Sequence, residues 1–283
     1  MKRRDFCFAA GALPLFGATA QRIVDTHIHL YDPFRPAGVP WPPKDNAVLY
    51  KTHLAPDFKA AIKGLGVTGA IVVEASAWYD DNDWVLRLAD DEPLILGLVG
   101  NVASDAAKFP VNLERLRRQP RFLGIRRNRA GLGAFDEMRL LAFHGLSLDV
   151  VGDASMLSDV LKVSDKAPEL RIIIDHLPFP PGADLVEFSK RPNVFAKVSW
   201  ILRQVNGRIP EELSYYRDEL DKVWDVFGAD RVIYGSNWPV SNLQAPYASV
   251  LRIAREYFEA KGGSVAERYF WKNSQKAYRW IAR

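Results

Sequence analysis

The sequence predicts an α/β protein folded as a (β/α)8 TIM barrel, and three observations carry that prediction. Eight short apolar runs alternate strictly with amphipathic stretches over about 260 residues. Polar residues that have no business in a buried strand recur at the carboxyl ends of those runs, where such barrels keep their reactive groups. No Gly-x-Gly-x-x-Gly follows the first run, which weakens the dinucleotide-binding open sheet, the alternative that alternation alone leaves standing.

The first twenty residues, MKRRDFCFAAGALPLFGATA, precede the pattern. A basic start, an apolar middle from Phe6 to Phe16 and small residues at Ala18 and Ala20 predict a cleaved signal peptide over 1–20. The Arg3-Arg4-x-Phe6 arrangement is similar to a twin-arginine leader, which predicts a periplasmic or exported product. Gly11, Pro14 and Gly17 would break a helix there, and the stretch is too short to span a membrane. A single barrel domain is expected over 21–283, with 48% hydrophobic residues in the chain to fill its core.

The predicted strands are 23–30, 70–75, 95–102, 122–128, 146–151, 171–176, 194–199 and 231–236. Helices are predicted between them at 56–64, 83–91, 112–119, 135–143, 154–164, 183–190 and 210–227, with 246–261 and 265–280 closing the chain. Of 38 basic and 34 acidic residues the leader holds three and one, leaving 35 and 33, with no long basic run, so a nucleic-acid partner is not expected. The one cysteine, Cys7, lies in the leader. The rest of the chain therefore has neither a disulfide nor a thiolate site, and any metal must be held by imidazole and carboxylate.

Strand one, in RIVDTHIHLYD, brings the first candidates. Alternation places His27 and His29 on one face, with Asp25 below them, as a site for a divalent metal or a polarised carbonyl; the plain alternative is a hydrogen-bonded surface pair. The connection 31–55 carries five prolines with Trp41, Tyr50 and His53, and is expected to cover a site. Glu74 ends strand two. Arg126 and Arg127 end strand four on opposite faces, so one guanidinium can face a carboxylate or sugar oxygen. Asp149 lies on strand five, and alternation puts His176 on the face of Ile172 and Ile174, with Asp175 opposite. Lys197 is expected to run its stem along the barrel wall. Gly235-Ser236-Asn237-Trp238 ends strand eight.

With those residues in place, the chain resembles the amidohydrolase-related lactonases of the amidohydrolase superfamily, which include sugar-lactone hydrolases and 2-pyrone-4,6-dicarboxylate lactonase. The matching pieces are DTHIHLYDP at 25–33, GIRR at 124–127, DHLPFP at 175–180, KVSW at 197–200, YGSNWPV at 234–240 and FWKNSQKAYRW at 270–280. The resemblance implies a metal-dependent-hydrolase-like barrel and hydrolysis of a small-molecule lactone or related cyclic ester, with one zinc ion in some members and no metal in others. It implies that His27, His29 and His176 bind metal or polarise a carbonyl, and that Arg126 binds substrate. One position departs from the pattern: the family's strand-eight aspartate, which takes a proton from water, is here Asn237. An amide orients water but has no usable basicity.

Asn237, His176 and Glu74 are therefore the catalytic candidates, and Arg126, Asp149, Tyr50 and Trp238 the substrate-binding ones. Three readings follow: a hydrolase whose base is Glu74, Asp149 or a zinc-bound hydroxide; another reaction on the same scaffold; or an exported sugar-lactone-binding pseudoenzyme.

Overall fold

Runs rich in Val, Ile and Leu fit a strand buried on both faces, and in this computed structural model they form eight of them. Residues 22–177, 179 and 185–281 are described; the leader reading lies outside them. The strands are β1 Ile23–Ile28, β2 Val67–Val73, β3 Ile95–Gly100, β4 Phe122–Asn128, β5 Ser147–Val151, β6 Arg171–Ile174, β7 Val194–Val198 and β8 Val232–Tyr234. Each pairs in parallel with the next. The ends of the sheet meet beyond β8: Asn237 N donates to His27 O and His29 N to Trp238 O, both at 2.8 Å. The residues expected in the site thus also bring the barrel to near closure.

Eight helices follow the strands: α1 Ala55–Ala61, α2 Asp81–Asp90, α3 Phe109–Leu116, α4 Phe135–Phe143, α5 Leu157–Lys166, α6 Val186–Ser189, α7 Arg217–Phe227 and α8 Tyr247–Ala260. Alternate strand residues such as Ile23, Val72 and Ile172 pack outward on helix residues such as Phe58, Leu113 and Phe227. The other face, with Val24, Ile71, Ile173, Phe195 and Ile233, fills the barrel together with Tyr278 and Trp280. The chain end therefore plugs the amino-terminal mouth, where Arg171 at the start of β6 donates to Ala277 O. No helix among the described residues is long and apolar enough to cross a membrane.

Three predicted helices change form. The stretch 265–280 becomes α9 Gly263–Glu267, a π-helical turn Arg268–Lys272 and α10 Asn273–Tyr278. In 210–227 a single 3-10 turn, Leu213–Tyr215, precedes α7, which starts only at Arg217, with the Tyr216 hydroxyl donating to Pro210 O at 2.6 Å. The 112–119 helix starts earlier, at Phe109, with a proline in its first turn, where the missing N–H costs nothing.

Gly124 shows how tightly β4 and β5 approach. A Cβ there would lie 2.8 Å from the Ser147 carbonyl carbon and closer still to its oxygens. Gly124→Ala is expected to cost about 3 kcal/mol through forced backbone movement, lowering the calorimetric midpoint by roughly 6–10 °C. A midpoint unchanged within a degree would mean that the two strands separate freely.

Candidate active site

Between Asp25 and Ile28 strand β1 advances three residues against two on β2, from Ala70 to Val72. This bulge breaks the alternation. Asp25 is consequently not beneath His27 and His29 on their face, as expected from an unbroken strand. Its carboxylate accepts from Ser236 N at 2.9 Å, His27 N at 3.0 Å and the Tyr247 hydroxyl of α8 at 2.9 Å. Burial pushes it up to about 6 despite those donors. The bulge leaves His27 and His29 facing the barrel mouth.

Below them lies a wholly buried charge cluster. Lys197 Nζ sits 2.6 Å from Asp149 Oδ2, 2.8 Å from Asp175 Oδ1 and 3.4 Å from His27 Nδ1. The Tyr278 hydroxyl, from the chain-end plug, donates to Asp149 Oδ2 at 2.7 Å. Lys197 is thus the hub of the barrel interior rather than a stem along its wall. Burial pushes Asp149 up to about 7 against the pull of the ammonium. Burial also acts on Asp175, but there the Lys197 ammonium wins and holds it well below the usual carboxylate range.

His176 reaches the mouth by an unforeseen route. Ile172 and Ile174 face the outer core, so simple alternation would have carried His176 there too. Instead its φ is +62°, as is that of Asn237, and Trp200 has +57°. Left-handed backbone at a non-glycine residue costs of order 1 kcal/mol and clusters at functional sites. The result sets the His176 ring 4.7 Å from that of His27, which is itself 4.9 Å from His29. Ser199 Oγ, at the end of β7, holds His176 Nδ1 at 2.9 Å.

Burial pushes all three imidazoles down, His29 to about 3, His176 to about 4 and His27 well below its ordinary value, so all are neutral near pH 7. Neutrality decides the contact at Asn237. His29 Nδ1 lies 2.9 Å from Val73 O and must donate to it, which leaves Nε2 as an acceptor. The atom of Asn237 placed 3.2 Å from that Nε2 is Oδ1, also an acceptor, so the neutral ring favours the flipped amide, with its NH2 toward the nitrogen. Among the described residues nothing partners His27 Nε2, which is buried.

Arg126 grips Glu74, with Nε 2.8 Å from Oε1 and Nη2 2.7 Å from the main-chain oxygen. Burial raises Glu74 against that guanidinium. Arg127, facing away, pairs with Glu137 at 3.0 Å. The connection after β1 crosses the mouth as expected. Tyr31 and His53 pair at its base, Arg35 clamps Asp81 at 2.7 Å, and the Trp41 ring stands 6.1 Å from His29.

Three of the sequence candidates sit elsewhere. Asp149 is completely buried and its Oδ2 is occupied by Lys197 and Tyr278. The Trp238 ring packs on Phe58 and His53, at 5.2 and 5.4 Å, and the Tyr50 ring packs on Phe34 in the connection. Trp41, from the connection expected to cover the site, and Ser199, the polar residue at the end of β7, take places next to the imidazoles.

A divalent cation does not fit this donor set. Among the described residues no three His, Cys, Asp or Glu side chains gather as ligands. His29 presents its lone pair to an amide, His27 stands against an ammonium, and no carboxylate faces the mouth from position 237.

A barrel whose imidazoles, guanidinium and amide converge at the carboxyl ends of its strands belongs to the class of (β/α)8 proteins that house their chemistry at that mouth. More narrowly, the chain belongs to the amidohydrolase family, whose sequence model matches residues 24–280. An L-fucono-1,5-lactonase of Burkholderia ambifaria is 28% identical over 238 residues, covering 78% of this chain and 81% of its own. Another L-fucono-1,5-lactonase, from Burkholderia multivorans, is 25% identical and covers 88% and 92%. Among solved structures, an amidohydrolase from Burkholderia multivorans with zinc bound superposes with a TM-score of 0.80 at 21% identity, over 92% of this chain and 99% of that one. A Pseudomonas putida structure described as a 2-pyrone-4,6-dicarboxylic acid hydrolase gives 0.70 at 18%, over 92% and 98%. These two likenesses concern the fold.

Proposed function

We propose that the protein hydrolyses a sugar-derived lactone, and the observation that carries this reading is the partnerless His27 Nε2 among neutral imidazoles. The two L-fucono-1,5-lactonase relatives favour a 1,5-lactone of a sugar acid. The lactone lies beneath Trp41, with its carbonyl oxygen toward His27 and its hydroxyls near the Arg126–Glu74 pair. Water held by Asn237 adds to the carbonyl carbon. His176, steadied through Nδ1 by Ser199, takes the water's proton and returns it to the ring oxygen as the C–O bond breaks, giving the open hydroxy acid. A second reading, a lactone-binding protein without turnover, is favoured by Asn237 alone.

The test is a panel of 1,5- and 1,4-aldonolactones, L-fucono-1,5-lactone included, with acid release followed by a pH indicator. Turnover that His176→Ala reduces by about 10²-fold or more is expected. Binding of a lactone with no acid released by the parent would establish the binding reading instead.

A further inference from the structure

We propose that Lys197 is a positioning residue that fixes the proton of His27 on Nε2, making that nitrogen a hydrogen-bond donor aimed at the bound carbonyl. An ammonium carries three hydrogens and no lone pair. Lys197 Nζ hydrogen-bonds Asp149 Oδ2 at 2.6 Å and has hydrogen-bond geometry to His27 Nδ1 at 3.4 Å, while Asp175 Oδ1, 2.8 Å away, is its ion-pair partner without hydrogen-bond geometry. The ring nitrogen facing it must therefore be the bare one. In a neutral imidazole the hydrogen then sits on Nε2, the atom left without a partner among the described residues.

One arrangement competes with this. Asp175 Oδ1 is 3.6 Å from the same Nδ1 and could accept a hydrogen from it. That contact lacks hydrogen-bond geometry, however, as does the 2.8 Å ion pair between the same oxygen and Lys197, whereas the ammonium is nearer to Nδ1 and has that geometry toward it. Lys197 has little freedom to leave. Its side chain is wholly buried, and Asp149 is itself tied to Tyr278 of the plug. Space for the pair comes from Gly235, where a Cβ would lie 2.8 Å from His27 Cβ and 3.2 Å from Lys197 Cγ and Cδ. A glycine there, with no left-handed backbone to require it, keeps the strand clear of both side chains.

Donation to a carbonyl rests on the lactone hydrolysis proposed above, whereas the position of the proton does not. Chain labelled with 15N at histidine is therefore read by long-range proton–nitrogen correlation, which distinguishes the two tautomers without substrate. The parent and Asp149→Asn are expected to show His27 protonated on Nε2. In Lys197→Met combined with Asp149→Asn, which avoids leaving two carboxylates without their cation, the proton should move to Nδ1 and donate to Asp175. That double variant should also lose about 10²–10³-fold in kcat on a hydrolysed lactone with KM little changed. A parent protonated on Nδ1, or a double variant still protonated on Nε2, overturns the proposal. Should the double variant not fold, the parent spectrum alone decides. A tautomer shift in a protein that hydrolyses no lactone would leave the Lys197 assignment standing and remove the hydrolase reading.

Discussion

Asn237→Asp is expected to raise kcat for lactone hydrolysis by about tenfold near neutral pH, less than the 10²–10⁴ of a sole general base because the carboxylate would share the water's proton with His176. The amide now at this position contacts His29 Nε2 and can hold a water, but it cannot take the water's proton. A carboxylate of the same shape could. The backbone tolerates the exchange, because φ at Asn237 is +62°, a region that Asn and Asp both enter readily. The substitution also changes what His29 faces. Its Nε2 lone pair would look onto a second acceptor, a repulsion relieved by protonating a buried imidazole or by admitting a cation between the two. The variant is therefore expected to retain zinc that the parent does not, read by elemental analysis after dialysis, with kcat measured in chelator and in added zinc. No gain in either condition, in a folded variant that still binds lactone, would mean that the attacking water is not held at this residue.

The barrel was legible because strand–helix alternation is written in local apolar periodicity, and the mouth because charged or imidazole residues at the ends of Val- and Ile-rich runs stand out. The parts that were not legible depend on breaks in that periodicity. An unbroken β1 would carry Asp25 on the His27 face; the bulge, set by pairing with β2, sends it instead to Tyr247 and Ser236. An ordinary end to β6 would bury His176 among the helices, and only its left-handed backbone returns it to the pocket. The Lys197 cluster joins β5, β6, β7 and the chain end, four segments whose convergence no single window of sequence contains. Trp238 illustrates the reverse: it follows a site residue in the chain, yet beside the closing hydrogen bond to β1 its ring turns outward onto Phe58.

The largest loss is expected at His27, and two substitutions there separate its roles. His27→Ala removes the one donor aimed at the carbonyl and should lower kcat by about 10²–10³-fold, the usual consequence of deleting a hydrogen bond that strengthens as the oxyanion forms. KM should change little, since the ground-state carbonyl accepts that bond weakly. The same change leaves the third hydrogen of Lys197 without an acceptor in a dry interior, so a lower thermal midpoint is expected alongside. His27→Gln differs in both respects. Its amide oxygen can accept from Lys197 while its NH2 occupies the place of Nε2, so it should recover about tenfold of the lost kcat and most of the midpoint. A glutamine has neither the basicity of an imidazole nor its strength as a metal ligand. If His27 worked as base or ligand, the glutamine variant would therefore be as inactive as alanine, and steady-state kinetics on the two proteins, with thermal midpoints measured beside them, distinguishes that outcome from donation.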